Sequence, residues 1–284
     1  MGALVVAIAN CKGGTGKTTT AVNLAAELAS MQRRVLLVDL DSQGHSGLGF
    51  GVWAEGESDT AHQIFRRTGI DIAASIRASA FAGVDVLPAD RDFTIHAAAP
   101  DPQRLATALA PLMDRYDIIL IDTPPAADLP LIAALTAARR VLVPMHLTHL
   151  GYDGLTKFLR LFFKVATSLN PDLGAFAIVP IQIDMRTHIQ QHVLAKLLLE
   201  YGTKRIFRGI RSDVALAEAF GISSPVRNYR PSSRGAMDYC FLAQDVLSHW
   251  ADCAPNAATN EQGRREPKDR GQQDRQPLPE NERG

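Results

Sequence analysis

The chain has 284 residues, 46% of them apolar and 21% charged, the composition of an ordinary globular protein with enough length for one sizeable core. Thirty Lys and Arg balance thirty Asp and Glu, which excludes a protein that coats nucleic acid by bulk charge. No apolar run approaches the roughly 18 residues of a membrane span, and Cys11, Cys240 and Cys253 have neither disulfide nor zinc spacing, so a reducing cytoplasm is expected.

The chain starts on MGALVVAIA, with no basic stretch or cleavage site of a secretory leader. Residues 4–9 (LVVAIA) are a continuous apolar run, the pattern of a strand buried on both faces. A glycine-rich turn follows. Then Val22, Ala25, Leu28 and Ala29 recur on one helical face, and 35–40 (VLLVDL) is a second apolar run. This strand, loop, helix, strand order is a βαβ unit. Further strands are expected at 84–87, 118–121, 141–143 and 176–181, with short ones at 205–208 and 225–227. Helices are expected at 103–116, 188–201 and 236–250. The alternation predicts an α/β fold, a single doubly wound, mostly parallel sheet flanked by helices, over residues 1–253. Residues 254–284 hold six acidic and six basic residues and one Leu, with no Ile, Val or aromatic, so a disordered polar tail is expected.

Between the first strand and helix stands Asn10-Cys11-Lys12-Gly13-Gly14-Thr15-Gly16-Lys17-Thr18-Thr19. Glycines there let backbone N–H groups curl around phosphate oxygens, and the following helix adds its N-terminal dipole. Lys17 is expected to reach the β- and γ-phosphates, Thr18 to ligate Mg²⁺ and Thr19 to sit near the α-phosphate. Cys11 stands where the common pattern has a first glycine; with no His adjacent in sequence it reads as a small buried filler. In VLLVDLDSQG, Asp39 and Asp41 close the second strand, and alternation would put both on the site's face. In DIILIDTPP, Asp122 ends another buried strand, as an acid holding Mg²⁺ through water should.

The KGGTGKT form, with Lys12 ahead of the glycines, resembles the deviant Walker A loop of the ParA/MinD family of ATPases. DLDSQG resembles the family's DxDPQG box, with Ser42 for proline, and residues 216–239 (LAEAFGISSPVRNYRPSSRGAMDY) resemble LSEAPSxGKPIxxYDPxSRGAxxY of the ParA branch. The resemblance covers about residues 3–250. It implies ATP and Mg²⁺ as cofactors, with Lys12, Gly13, Gly14, Thr15, Gly16, Lys17, Thr18, Thr19, Asp39, Gln43 and Asp122 at the nucleotide and Thr18 and Asp122 at the metal. Catalysis falls to Lys12, Lys17 and Asp41: Lys12 reaches the partner's ATP in a homodimer, Asp41 positions the attacking water, and Asp39 supports the metal region.

The resemblance also implies binding to non-specific, nucleoid DNA and a ParB-like or McdB-like adaptor that stimulates hydrolysis. The cargo would be a protein assembly such as a carboxysome, towards which the missing helix-turn-helix and the altered arginines lean, or a chromosome or plasmid partition complex. Between 203 and 235 seven basic residues face two acidic ones. Lys204, Arg208, Arg211, Arg227, Arg230 and Arg234, with Arg186, are the expected DNA contacts. Thr148 holds the family's usual acidic or polar place after the fifth strand, a loose match, while other features depart from the family: no helix-turn-helix precedes the first strand, and Ala215 replaces a later arginine. The tail has no apolar face, so no membrane contact is expected. The alternative class is a metabolic or redox ATPase without DNA binding. A cluster-bearing relative would need a cysteine pair beyond a switch strand, and none is there. The pairs His146/His149 and His188/His192 lack a third ligand and are expected at the surface.

Overall fold

The computed structural model describes residues 2–56, 59–94 and 101–250. Its centre is an eight-stranded sheet of order β3-β4-β2-β5-β1-β6-β7-β8. In chain order the strands are β1 (Leu4–Ile8), β2 (Val35–Asp39), β3 (Arg77–Ala78), β4 (Val84–Leu87), β5 (Ile118–Asp122), β6 (Arg140–His146), β7 (Ala175–Ile183) and β8 (Ile210–Arg211). All pairs are parallel except β3 with β4.

Period-two alternation divides the core. Val5, Ala7, Leu36, Val38, Ile119 and Ile121 face one layer. That layer contains α4 (Arg104–Leu109), α5 (Leu129–Ala137) and α6 (His149–Ser168), which contribute Leu105, Leu135 and Phe158. Leu4, Val6, Ile8, Leu37 and Leu120 face the other layer. There α1 (Lys17–Ser30) and α10 (Arg234–Trp250) contribute Leu24, Leu28, Tyr239 and Leu242. Burial on both faces is why these strands read as unbroken apolar runs. Each wholly buried Leu or Ile contributes about 1.5–3 kcal/mol.

Several expected elements differ. Residues 225–227 are not a strand: Pro225 precedes the short helix α9 (Val226–Tyr229), and the Val226 N–H donates to Asn23 Oδ1 at 2.8 Å instead of to a neighbouring strand. At 205–208 there is a single bridge from Ile206 to Ile178, and the ladder resumes only at β8. The helix expected at 103–116 ends as α-helix at Leu109 and tightens into a 3₁₀ turn over Ala110–Leu112, where Pro111 has no N–H to give. The apolar pattern hides α5, which is buried nearly all round. The remaining α-helices among the described residues are α2 (His45–Leu48), α3 (Gln63–Arg66), α7 (His188–Tyr201) and α8 (Val214–Gly221). The expected tail and Cys253 lie outside the described residues.

Candidate functional site

β1, β2 and β5 end side by side, and the chain leaves β1 for α1 through the glycine-rich loop. In parallel sheets ligands gather at this edge. The loop is braced from within and from the sheet. Asn10, buried, donates from Nδ2 to the Pro144 carbonyl (2.9 Å) and accepts the Lys12 N–H on Oδ1 (3.2 Å). The Lys12 carbonyl in turn accepts from Thr15 Oγ1 (3.2 Å) and Lys17 Nζ (3.3 Å). Gly14 and Gly16 have φ of 70° and 74°, the left-handed region that L side chains avoid. A Cβ on Gly16 would come 3.0 Å from Ile181 Cδ1, whereas Gly13 and Gly14 look onto open space. No side chain caps the start of α1 and its first turn carries no acid, so its free N–H groups suit a phosphate.

Lys17 is buried, and that burial pulls its ammonium pKa down, while Asp122 and Asp41 raise it. The Lys12 side chain is half-buried beside Gly154 of α6. Burial pushes the Cys11 thiol up, consistent with a filler and not a nucleophile.

Asp39 and Asp122 are neighbours in the β2–β5 register and are wholly buried. Both carboxylate oxygens of Asp39 are engaged by backbone N–H groups. Its Oδ1 accepts the Asp41 N–H (3.1 Å) and its Oδ2 accepts those of Ser46 (3.0 Å) and Gly47 (3.2 Å). It therefore shapes the turn that carries Asp41. Asp41 is half-buried, accepts the Gln43 N–H at 3.1 Å, and Gln43 is exposed at the rim.

Asp122 Oδ2 accepts from Ser46 Oγ at 2.8 Å, but its buried Oδ1 makes no well-formed hydrogen bond. Burial pushes this carboxyl up to about 6, against the lowering effects of the Thr18 and Ser46 hydroxyls and of Lys17. An orphaned carboxylate oxygen near the Thr18 hydroxyl fits a hard divalent cation that keeps several of its waters. Such an ion would neutralise charge on transferring phosphate oxygens.

Three features carry no mark in the sequence pattern. Ser46, the hydroxyl partner of Asp122, is the first. Asp128, before α5, is the second: its carboxyl is pushed up by burial and, to a smaller extent, by the charge of Asp41. Next to Gly16 and Thr19 opens a cavity of about 510 Å³, lined also by Gln182, Asp213, Phe220 and Tyr239. It has the size of a nucleoside site. Gln182 sits there with φ 52° at the irregularity in the β7–β8 pairing, and no sequence signal marks such a backbone.

The expected DNA contacts are mostly engaged within the chain. Arg186 pairs with Asp184 (2.7 Å), Arg211 with Asp238 (2.7 Å), Arg227 with buried Glu27 (2.7 Å), Arg230 with Glu218 (3.7 Å) and Arg208 with Asp245 (3.9 Å). Lys204 and Arg234 are exposed. Lys157, Arg160 and Lys164 also stand exposed along one face of α6, with no ion pair among the described residues. Among the described residues no group of three or more His, Cys, Asp or Glu could hold a metal, and no helix is long and apolar enough to cross a membrane.

The AAA domain family model matches residues 3–175. The chromosome-partitioning ATPase Soj of Thermus thermophilus is 37% identical over 246 residues, 86% of this chain and 95% of Soj. The chromosome partitioning protein ParA of Caulobacter vibrioides is 33% identical over 261 residues, 89% and 97% of the two chains. Among solved structures, cobyrinic acid a,c-diamide synthase of Mycobacterium smegmatis, with a bound ATP analog and magnesium, is 30% identical with a TM-score of 0.74. That match covers 87% of this chain and 95% of the synthase. With these matches added to the loop and the acidic box, the chain belongs to the ParA/MinD family of deviant Walker A ATPases.

Proposed function

We propose that this chain is an ATP-driven partition switch. It would bind Mg-ATP at the loop, dimerise face to face, and hold non-specific DNA of the nucleoid in the cytoplasm until a cargo-bound partner triggers hydrolysis. The observation that carries this reading is Lys12. Its backbone carbonyl holds Thr15 and Lys17 while its side chain, half-exposed, lies beside Gly154 of α6. From there a cation can serve a second subunit's phosphates.

In one subunit Lys17 and the N–H groups of residues 13–19 would hold the phosphates, Thr18 and Asp122 the magnesium, and Asp41 the attacking water. Asp39 fixes the turn beneath Asp41. Identities of 33–37% with Soj and ParA along nearly the whole chain favour a chromosome or plasmid partition complex with a ParB-like adaptor over a carboxysome with an McdB-like one. For DNA, exposed Lys204 and Arg234 and the α6 row of Lys157, Arg160 and Lys164 are better placed than the ion-paired arginines, since a phosphate must displace a carboxylate from each of those.

Binding to a random-sequence duplex, in Mg-ATP and in Mg-ADP, tests this. Binding that requires ATP, weakens with salt and disappears in Lys12→Ala is expected. A wild-type protein that hydrolyses ATP yet binds no DNA would overturn the DNA step and turn attention to a small-molecule substrate.

A further inference from the structure

His146 is the last residue of β6, and its Nε2 lies 3.0 Å from the Gly14 carbonyl oxygen. A carbonyl only accepts, so Nε2 carries the proton and donates. Two residues earlier on the same strand, the Pro144 carbonyl accepts from Asn10. The end of β6 therefore holds the loop at two points, one before Lys12 and one after Gly13.

The second hold has a geometric consequence. In a trans peptide the C=O and N–H point in opposite directions, and the described residues contain no cis bond. A Gly14 carbonyl held towards β6 directs the Thr15 N–H to the opposite side. Glycine at φ 70° tolerates both orientations of its following peptide, and no atom lies within 4 Å of where a Cβ on Gly13 or Gly14 would stand, so side-chain packing does not fix it. The orientation therefore needs an outside partner. We propose that His146 is a positioning residue for the nucleotide site: it fixes the 14–15 peptide so that its N–H is ready for a phosphate oxygen, whereas an unbraced loop would first have to be ordered. This rests on the reading of the loop as an ATP site.

The test uses the full chain and compares His146→Ala, His146→Asn and His146→Gln. Gln can present an N–H about where Nε2 lies; Asn is too short. Loss of the brace should weaken ATP and ADP binding about tenfold in the Ala and Asn variants and raise KM for ATP with kcat little changed. The Gln variant should stay within about twofold of wild type. Thermal midpoints without nucleotide should be alike in all four proteins, since the effect is on the loop and not the core. Wild-type affinity in His146→Ala, or equal weakening in the Gln and Ala variants, would overturn the proposal. If Ala and Asn fail to fold, the Gln variant alone decides, by keeping or losing ATP affinity. Failure of the wild type itself to bind ATP would instead overturn the reading of the site, and this proposal with it.

Discussion

Asp39 and Asp122 lie side by side on β2 and β5, equally buried, yet they are bonded in opposite ways. Asp39 takes three backbone N–H groups, while Asp122 takes the Ser46 hydroxyl on Oδ2 and has only the nearby Thr18 hydroxyl, with no well-formed bond, for Oδ1. Two adjacent carboxylates cannot both be charged cheaply without a cation. Burial and Asp122 push the Asp39 carboxyl well above the usual range. On the proposed reading, the pair would divide into an acid that holds the turn and an acid left for a metal.

Asp39→Ala should therefore act on the fold. It leaves the buried N–H groups of Asp41, Ser46 and Gly47 without their acceptor, at a cost of about 1–3 kcal/mol. Thermal or urea unfolding without nucleotide should register it, and the loss should persist when Mg²⁺ is added.

Asp122→Asn should act on the metal and on pH dependence. The folded carboxyl titrates at about 6, above its ordinary value of 3.8, so the folded state binds the proton more tightly than the unfolded one. Stability from this group is complete below the unfolded value and is lost as pH rises through about 6, on the order of 3 kcal/mol. In metal-free protein, the stability of Asp122→Asn relative to wild type should rise from pH 4 to pH 7. Mg²⁺ favours the ionised form, so it should bind wild type better at pH 7 than at pH 5 and bind the Asn variant poorly. A pH-independent difference between the two proteins would contradict this assignment.

Gly16→Ala places a Cβ at φ 74° and 3.0 Å from Ile181 Cδ1. The left-handed backbone alone costs about 1–2 kcal/mol. ATP binding should fall more than stability does, because the loop distorts before the sheet. Calorimetric titration beside a melting curve separates the two.

The arginines should divide by what they already hold. Arg227→Ala strands Glu27, which is 1% exposed, so it should lower stability by about 1.5–3 kcal/mol. Any fall in DNA binding should then follow the loss of fold. Glu in place of Lys157, Arg160 and Lys164 should leave melting unchanged, weaken DNA binding and flatten its salt dependence. Each phosphate left unneutralised lowers the slope by about 0.9.

Much of this architecture was legible in the chain. Doubly buried strands read as apolar runs, and the loop, box and strand-end acids are local patterns whose spacing survives folding. What was not legible depends on distant partners. Ser46 matters because Asp122 lies across the sheet from it, and Arg227 is bound because Glu27 lies 200 residues earlier. The net charge of 203–235 misled in the same way, since Glu27, Asp238 and Asp245, which pair with Arg227, Arg211 and Arg208, lie outside that stretch. Residues 225–227 looked like a strand because β-branched and helical preferences are indistinct over three residues. The Val226 N–H bond to Asn23 decided the matter.

The proposed switch depends above all on ATP joining two subunits through Lys12. Sedimentation velocity of wild type and Lys12→Ala, each without nucleotide, with Mg-ADP and with Mg-ATP, decides whether it does. A dimer in wild type with Mg-ATP alone, and a Lys12→Ala protein that binds ATP but stays monomeric, is the predicted result. A dimer that forms equally with ADP, or that survives Lys12→Ala, would contradict that role for Lys12.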